Sequence, residues 1–239
     1  MEEALALLTI WLEESRQRHV MTVNNEMLVE SAKNSDFRML IQSTALNVPD
    51  STGLLIAASL TGQSLSERVP GVDLVQKLTA ELDSTVNVFL LGAEEGIAAR
   101  AGQELQHKNS RLRIVGALSG SPKREDSTEM IRIINNAQPQ LLLVAFGAPI
   151  QDLWIHQHLR HLPSVRVAIG VGGTFDFLAG KAKRAPSWMR SIGLEWLWRV
   201  IAEPWRIPRI WRATVVFLWL VVRYGKNAPT PTLPRFGGG

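Results

Sequence analysis

Short apolar runs alternate along this chain with longer segments of helical periodicity. Runs at 19–24 (HVMTVN), 87–92 (NVFLLG), 113–118 (RIVGAL), 141–147 (LLLVAFG) and 165–171 (VRVAIGV) read as strands. They are apolar nearly throughout, as strands buried on both faces are. Between and before them, 4–12, 72–82, 97–107, 128–137 and 150–162 place apolar residues at helical spacing. Alternation of this kind predicts an α/β fold, a Rossmann-like parallel sheet flanked by helices. Past about residue 185 the strand pattern stops, and helical segments broken at Pro204 and Pro208 are expected.

Charge divides the chain at nearly the same place. Residues 1–180 carry 15 Lys and Arg against 20 Asp and Glu, a net of −5. Residues 181–226 carry 10 against Glu195 and Glu203, a net of +8, together with six of the eight tryptophans. The expected organisation is therefore a core over 1–190, a basic, Trp-rich helical appendage over 191–226, and a Pro/Gly-rich disordered tail over 227–239. The chain has 239 residues and no cysteine, enough to bury a sizeable core without disulfides. The opening Met1-Glu2-Glu3 carries two acidic residues where a secretion signal needs positive charge. The longest apolar run, 213–222, is ten residues, against the roughly 20 a spanning helix needs. Both point to a cytoplasmic protein.

In open parallel sheets, ligands collect where strands end and helix N-termini present free N–H groups. Three strand ends here carry glycine before a helix: Gly92 to Gly96, Gly147 to Gln151, and Gly170 through Gly172 and Gly173 to Asp176. Each is either a tight turn or a phosphate cradle, and three together favour a nucleotide. None matches G-x-G-x-x-G with its acidic partner, and no P-loop is present, so a nicotinamide-dependent oxidoreductase is disfavoured. Thr22 and Asn24 close the first strand and either contact a ligand or cap the next helix. Asp50 likewise reads as a helix N-cap or as a general base. Arg68, in a Pro/Gly loop, is either solvated or a fork for a phosphate.

His156, His158 and His161 lack the i, i+4 spacing of a zinc helix, and no Asp-x-Asp pair occurs. No metal or cofactor is implied. Arg206, Arg209 and Arg212, spaced by three, would fall within about 120° of a continuous helix. Basic residues beside tryptophan suit an anionic lipid surface. Packing of the appendage onto the core is the alternative, and no nucleic-acid recognition module accompanies them.

The block VGGTFDFLAGKAKRAPSWMR at 171–190, continued by GLEWLWR at 193–199 and Glu203-Pro204, closely resembles the signature of the WecG/TagA/CpsF glycosyltransferases. FGAPIQDLWI at 146–155 is similar to that family's G-x-P-K-Q-E-x-W element. Thr22-Val23-Asn24, Pro49-Asp50 and ERVPGVD at 67–73 match its earlier blocks in order. The resemblance runs over about 2–224. It implies an inverting enzyme at the inner face of the cell membrane, building wall teichoic acid or other surface polysaccharide. Such an enzyme moves N-acetylmannosamine or its uronic acid from a UDP-sugar to a polyprenyl-diphosphate-linked acceptor. It further implies Asp50 as base, with Thr22 and Asn24 in the same pocket and Arg68 and Gln151 near phosphates. The chain departs from the pattern at Ser51, Ile150 and Asp152, where the family commonly has glycine, lysine and glutamate. A non-catalytic, membrane-associated nucleotide-sugar-binding protein is the competing class, and homo-oligomerisation stays open.

Overall fold

The structure is a computed structural model that describes residues 1–204 and 207–225. Six parallel strands form one sheet: β1 (Arg18–Val23), β2 (Leu46–Pro49), β3 (Asn87–Gly92), β4 (Arg113–Leu118), β5 (Leu141–Ala145) and β6 (Val167–Gly170), in the order β2-β1-β6-β5-β3-β4. All five expected strands are present. The unexpected one, β2, pairs only with β1, with Thr22 opposite Val48 and Val23 opposite Pro49. Four residues ending in proline suit an edge position, where a missing N–H costs no ladder bond.

Alternate strand residues feed two layers. On one face Val20, Leu90, Leu143 and Ile169 pack under α1 (Glu2–Glu13), α5 (Gly71–Glu81), α6 (Ile97–Lys108) and α9 (Thr174–Leu178). On the other, Phe89, Leu91, Leu142 and Val144 pack under α7 (Arg124–Ala137) and α8 (Ile150–His158). Beyond them on that face, Met21 and Val23 meet α2 (Asn25–Lys33), α3 (Ser35–Ser43) and α4 (Thr52–Leu60). Both faces are thus covered along β1, β3, β5 and β6, which is why these strands read as continuous apolar runs. By contrast β4, also expected to be buried, lies at the other edge with none of its six residues buried.

This arrangement sends neighbouring strand ends to opposite faces. The chain leaves β3 for α6 on one face and β5 for α8 on the other; β6 leads to α9 and β1 to α2 in the same divergent way. Crevices at such switch points are where open α/β sheets hold ligands.

The C-terminal region continues as α10 (Ser187–Ser191), α11 (Glu195–Ala202), α12 (Ile207–Trp211), a π turn (Arg212–Val216) and α13 (Phe217–Tyr224). Pro208 does not break a helix, contrary to expectation: it lies in the first turn of α12, where its missing N–H has no intrahelical role. The buried ring of Phe217 joins Met27, Leu54 and Ala57 in the core. Arg206 and the tail 227–239 lie outside the described residues, as do the side chains of Arg209 and Arg212. Among the described residues, no helix is long and apolar enough to cross a membrane.

Candidate active site

Reading the C-terminal edge of the sheet from β2 to β3, the sequence-derived residues fall into one stripe. Asp50 follows β2, Thr22 and Asn24 close β1, Gly172 and Gly173 follow β6, Gly147 and Gln151 follow β5, and Gly92 ends β3.

Asp50 is fixed from both sides. Its backbone N–H donates to Val23 O at 2.8 Å, and its Oδ1 accepts the Gly71 N–H at 2.9 Å. The carboxylate therefore does not cap α4, which follows it in sequence; it caps α5, 21 residues on. The loop between them is held to β2 by Val69 N–H donating to Pro49 O at 2.7 Å. Gly71 is closely surrounded: a Cβ there would meet Thr22 Cγ2 at 3.3 Å and Thr174 Oγ1 at 3.5 Å. Thr22 is buried, and its hydroxyl donates to Gly170 O at 2.8 Å, tying β1 to the end of β6. Thr22, Asp50, Gly71 and Thr174 thus converge at one point.

Asn24 has the capping role: its Oδ1 accepts the Met27 N–H at 3.1 Å. Its neighbour Asn25 accepts the Ser51 hydroxyl at 2.6 Å. It also presses so close on Gly53 that any Cβ there would overlap its amide.

Gln151 is 1% exposed, and its Oε1 accepts two backbone N–H groups, Gly147 at 3.1 Å and Gly172 at 2.9 Å. It clasps two of the three glycine loops together, so its amide ties the ends of β5 and β6 to each other. Gly147 and Gly172 adopt positive φ (86° and 53°), with open space where a Cβ would be. Gly173 precedes α9 as its N-cap. Gly92 has a packing role: at φ 107° its missing Cβ would lie 2.8 Å from the Ala145 carbonyl carbon. Beneath Gln151, Asp152 is fully buried and sits 3.3 Å from His19 Nε2.

An ion-pair network borders Asp50, and sequence reasoning missed most of it. Arg184 donates to Asp73 through both terminal nitrogens, at 2.5 and 3.1 Å, and its Nε lies 3.7 Å from Glu195. Arg68 donates to the same Glu195 at 3.2 Å. Burial works against the Arg184 charge. The hydrogen bond to Asp73 and the charges of Asp73, Glu195 and Asp50 outweigh it, holding the guanidinium above its usual pKa. Arg68 is therefore not a solvated loop residue; it is paired with the first residue of α11. The signal for Arg184 was the KAKRAP segment itself, which the charge division assigned to surface basicity.

The three histidines lie on or just past α8, away from this stripe: Trp154 stacks on His158, ring centroids 5.0 Å apart. Among the described residues, no cluster of three His, Asp or Glu side chains is placed to hold a metal ion.

Residues 1–230 match the profile of the glycosyl transferase WecG/TagA/CpsF family. Over 192 residues, 80% of this chain and 74% of the relative, the sequence is 33% identical to the N-acetylglucosaminyldiphosphoundecaprenol N-acetyl-beta-D-mannosaminyltransferase of Bacillus subtilis (strain 168). A protein of the same name from Bacillus spizizenii is 30% identical over 231 residues, 96% of this chain and 87% of the relative.

Proposed function

This chain belongs to the WecG/TagA/CpsF family of glycosyltransferases, and from that premise we propose the reaction and the residues that carry it. The enzyme transfers N-acetylmannosamine, or its uronic acid, from a UDP-sugar to a polyprenyl-diphosphate-linked N-acetylglucosamine, in the synthesis of teichoic acid or another surface polysaccharide. The anomeric centre inverts. Support for the acceptor comes from the names of the two relatives, which specify a diphosphoundecaprenol-linked N-acetylglucosamine.

The observation that carries the assignment of roles is the position of Asp50. It stands at a crevice of the sheet's C-terminal edge, anchored by Gly71 N–H and bordered by the Arg68–Glu195 and Arg184–Asp73 pairs. In the proposed step its carboxylate takes the proton of the acceptor hydroxyl as that oxygen attacks the anomeric carbon. The bond to UDP breaks on the opposite face, and the electron pair leaves with the diphosphate. Gln151 holds the N–H groups of Gly147 and Gly172, which fixes the two loops. The other backbone N–H groups of the loops at Gly92, Gly147, Gly172 and Gly173, with Arg68 released from Glu195, stabilise that developing charge. Thr22, Asn24 and Gln151 keep the pocket's shape.

The appendage from residue 191 serves the lipid side, with the core ending near 190 and the enzyme peripheral on the inner membrane face. Exposed Trp196, Trp211 and Trp219, in an appendage that carries six Lys and Arg against two Glu over 191–226, with exposed Trp188 just before it, support an anionic bilayer as its partner. Arg206, Arg209 and Arg212 belong to that proposed surface.

A donor screen tests the reading. UDP release is measured with UDP-N-acetylmannosamine, its uronic acid, UDP-N-acetylglucosamine and UDP-glucose against one lipid-diphosphate N-acetylglucosamine acceptor. Turnover with a mannosamine-type donor is expected. Binding of UDP-sugars with no release against any lipid-linked acceptor would identify a non-catalytic binding protein instead.

A further inference from the structure

We propose that the outward face of α4 is a binding track for the first isoprene units of the acceptor's polyprenyl chain. It rests on the lipid-linked acceptor proposed above and adds where the lipid lies. Helix α4 starts two residues after Asp50 and contains no charged side chain. Leu54 and Ala57 face the core cluster around Phe217. On the other side Ile56 is 50% exposed and Leu60 61%, so both leave apolar surface uncovered among the described residues.

The C-terminal segment brackets this helix at both ends. Gly193 packs against Thr52, where a Cβ would lie 2.7 Å from Cγ2, and Gly225 packs against Thr61, where a Cβ would lie 2.6 Å from Cγ2. The chain thus leaves α4 at its start and returns at its end, about 13 Å away along a nine-residue helix. The returning helix α13 adds Leu218, Trp219 and Val222, all exposed. An uncharged face, apolar at Ile56 and Leu60 with exposed Ser59 between them, leads from the proposed base toward a second helix with exposed apolar residues.

The occupant follows from the order of groups in the acceptor. Its sugar hydroxyl must reach hydrogen-bond distance of Asp50, the diphosphate comes next, and the hydrocarbon chain leaves from there. The surface leading away from Asp50 must then accept hydrocarbon, and the face carrying Ile56 and Leu60 does so. A polar or charged partner would leave those side chains no favourable contact.

The test compares two soluble acceptors, N-acetylglucosamine diphosphate esterified to farnesol and the same compound esterified to methanol. For the double variant Ile56→Ser/Leu60→Ser, the ratio of kcat/KM on the farnesyl ester to that on the methyl ester falls about ten-fold relative to wild type. Sedimentation with anionic phospholipid vesicles stays at the wild-type level. The milder Ile56→Ala/Leu60→Ala pair shifts the ratio about three-fold in the same direction, and its thermal melt reports on folding. A retained ratio overturns the track; a retained ratio with lost sedimentation assigns the face to the bilayer. Failure of the wild type to use either ester, despite binding UDP-sugar, overturns the acceptor reading and the track with it.

Discussion

The Asp50 carboxylate accepts the Gly71 N–H at 2.9 Å, so the residue proposed as base is also the N-terminal cap of α5. The two roles separate by substitution. Asn keeps an oxygen for Gly71, whereas Ala leaves an orphan donor at a part-buried helix start. Asp50→Ala is expected to cost about 1 kcal/mol. In a domain of this size that lowers the melting temperature by roughly 2–4 °C. Asp50→Asn should melt within about 1 °C of wild type by the same scaling. Differential scanning calorimetry of both variants checks this; equal losses would remove the capping role.

Gly170 tests how tightly the crevice floor is packed. A Cβ at this position would lie 2.3 Å from Asp152 Oδ1 and 2.7 Å from Gln151 Nε2, atoms of two buried side chains. Gly170→Ala is therefore expected to destabilise by about 1–3 kcal/mol, since neither side chain can yield without breaking its own contacts. Urea unfolding measures it. A neutral result would mean that Gln151 does not hold the Gly147 and Gly172 loops in the described geometry.

Much of this was legible in the chain. Glycines marked three strand ends, and four strands read directly because a parallel sheet covered on both faces needs unbroken apolar runs. Strand β4 gave the same pattern although it lies half-exposed at an edge. The edge strand β2 did not, because only Val48 of its four residues is buried. The Arg184–Asp73 pair joins residues 111 apart, and Arg68–Glu195 residues 127 apart. Local pattern contains no information about such partners. Arg184 therefore counted toward a basic arm, although Asp73 takes up its charge. Gln151 was legible as a site residue but not as the clasp between two loops, which depends on β5 and β6 being neighbours.

Glu195 holds Arg68 at 3.2 Å while lying within reach of Arg184, so in the proposed reaction it would compete with the donor phosphate for the Arg68 fork. Glu195→Gln is expected to lower the KM for the UDP-sugar about three-fold. The stability cost should be about 1 kcal/mol or less, the usual worth of a partly exposed pair. Steady-state kinetics at fixed acceptor decides it: a raised donor KM would mean that the pair, intact, is what positions Arg68.

His158 makes the stability of the fold depend on pH. Partial burial first, then the charges of His161 and Arg160, hold the His158 imidazole below its ordinary pKa. The unfolded chain then binds the proton more readily than the folded one, so stability rises with pH across this window. The contribution is complete above about pH 6.5 and is lost as the pH falls through the lower folded value. His158→Gln should flatten the acid limb of the stability profile relative to wild type, as followed by urea midpoints between about pH 7 and pH 5. Parallel profiles would contradict the shift.

The central claim is that Asp50 takes the acceptor proton, and turnover of Asp50→Asn tests it most directly. UDP release is measured with the productive donor and the lipid-linked acceptor, alongside UDP-sugar binding by calorimetry. The account predicts a fall in kcat of at least about 100-fold, the usual worth of a general base, with donor affinity kept within a few-fold. Wild-type turnover by Asp50→Asn would contradict it.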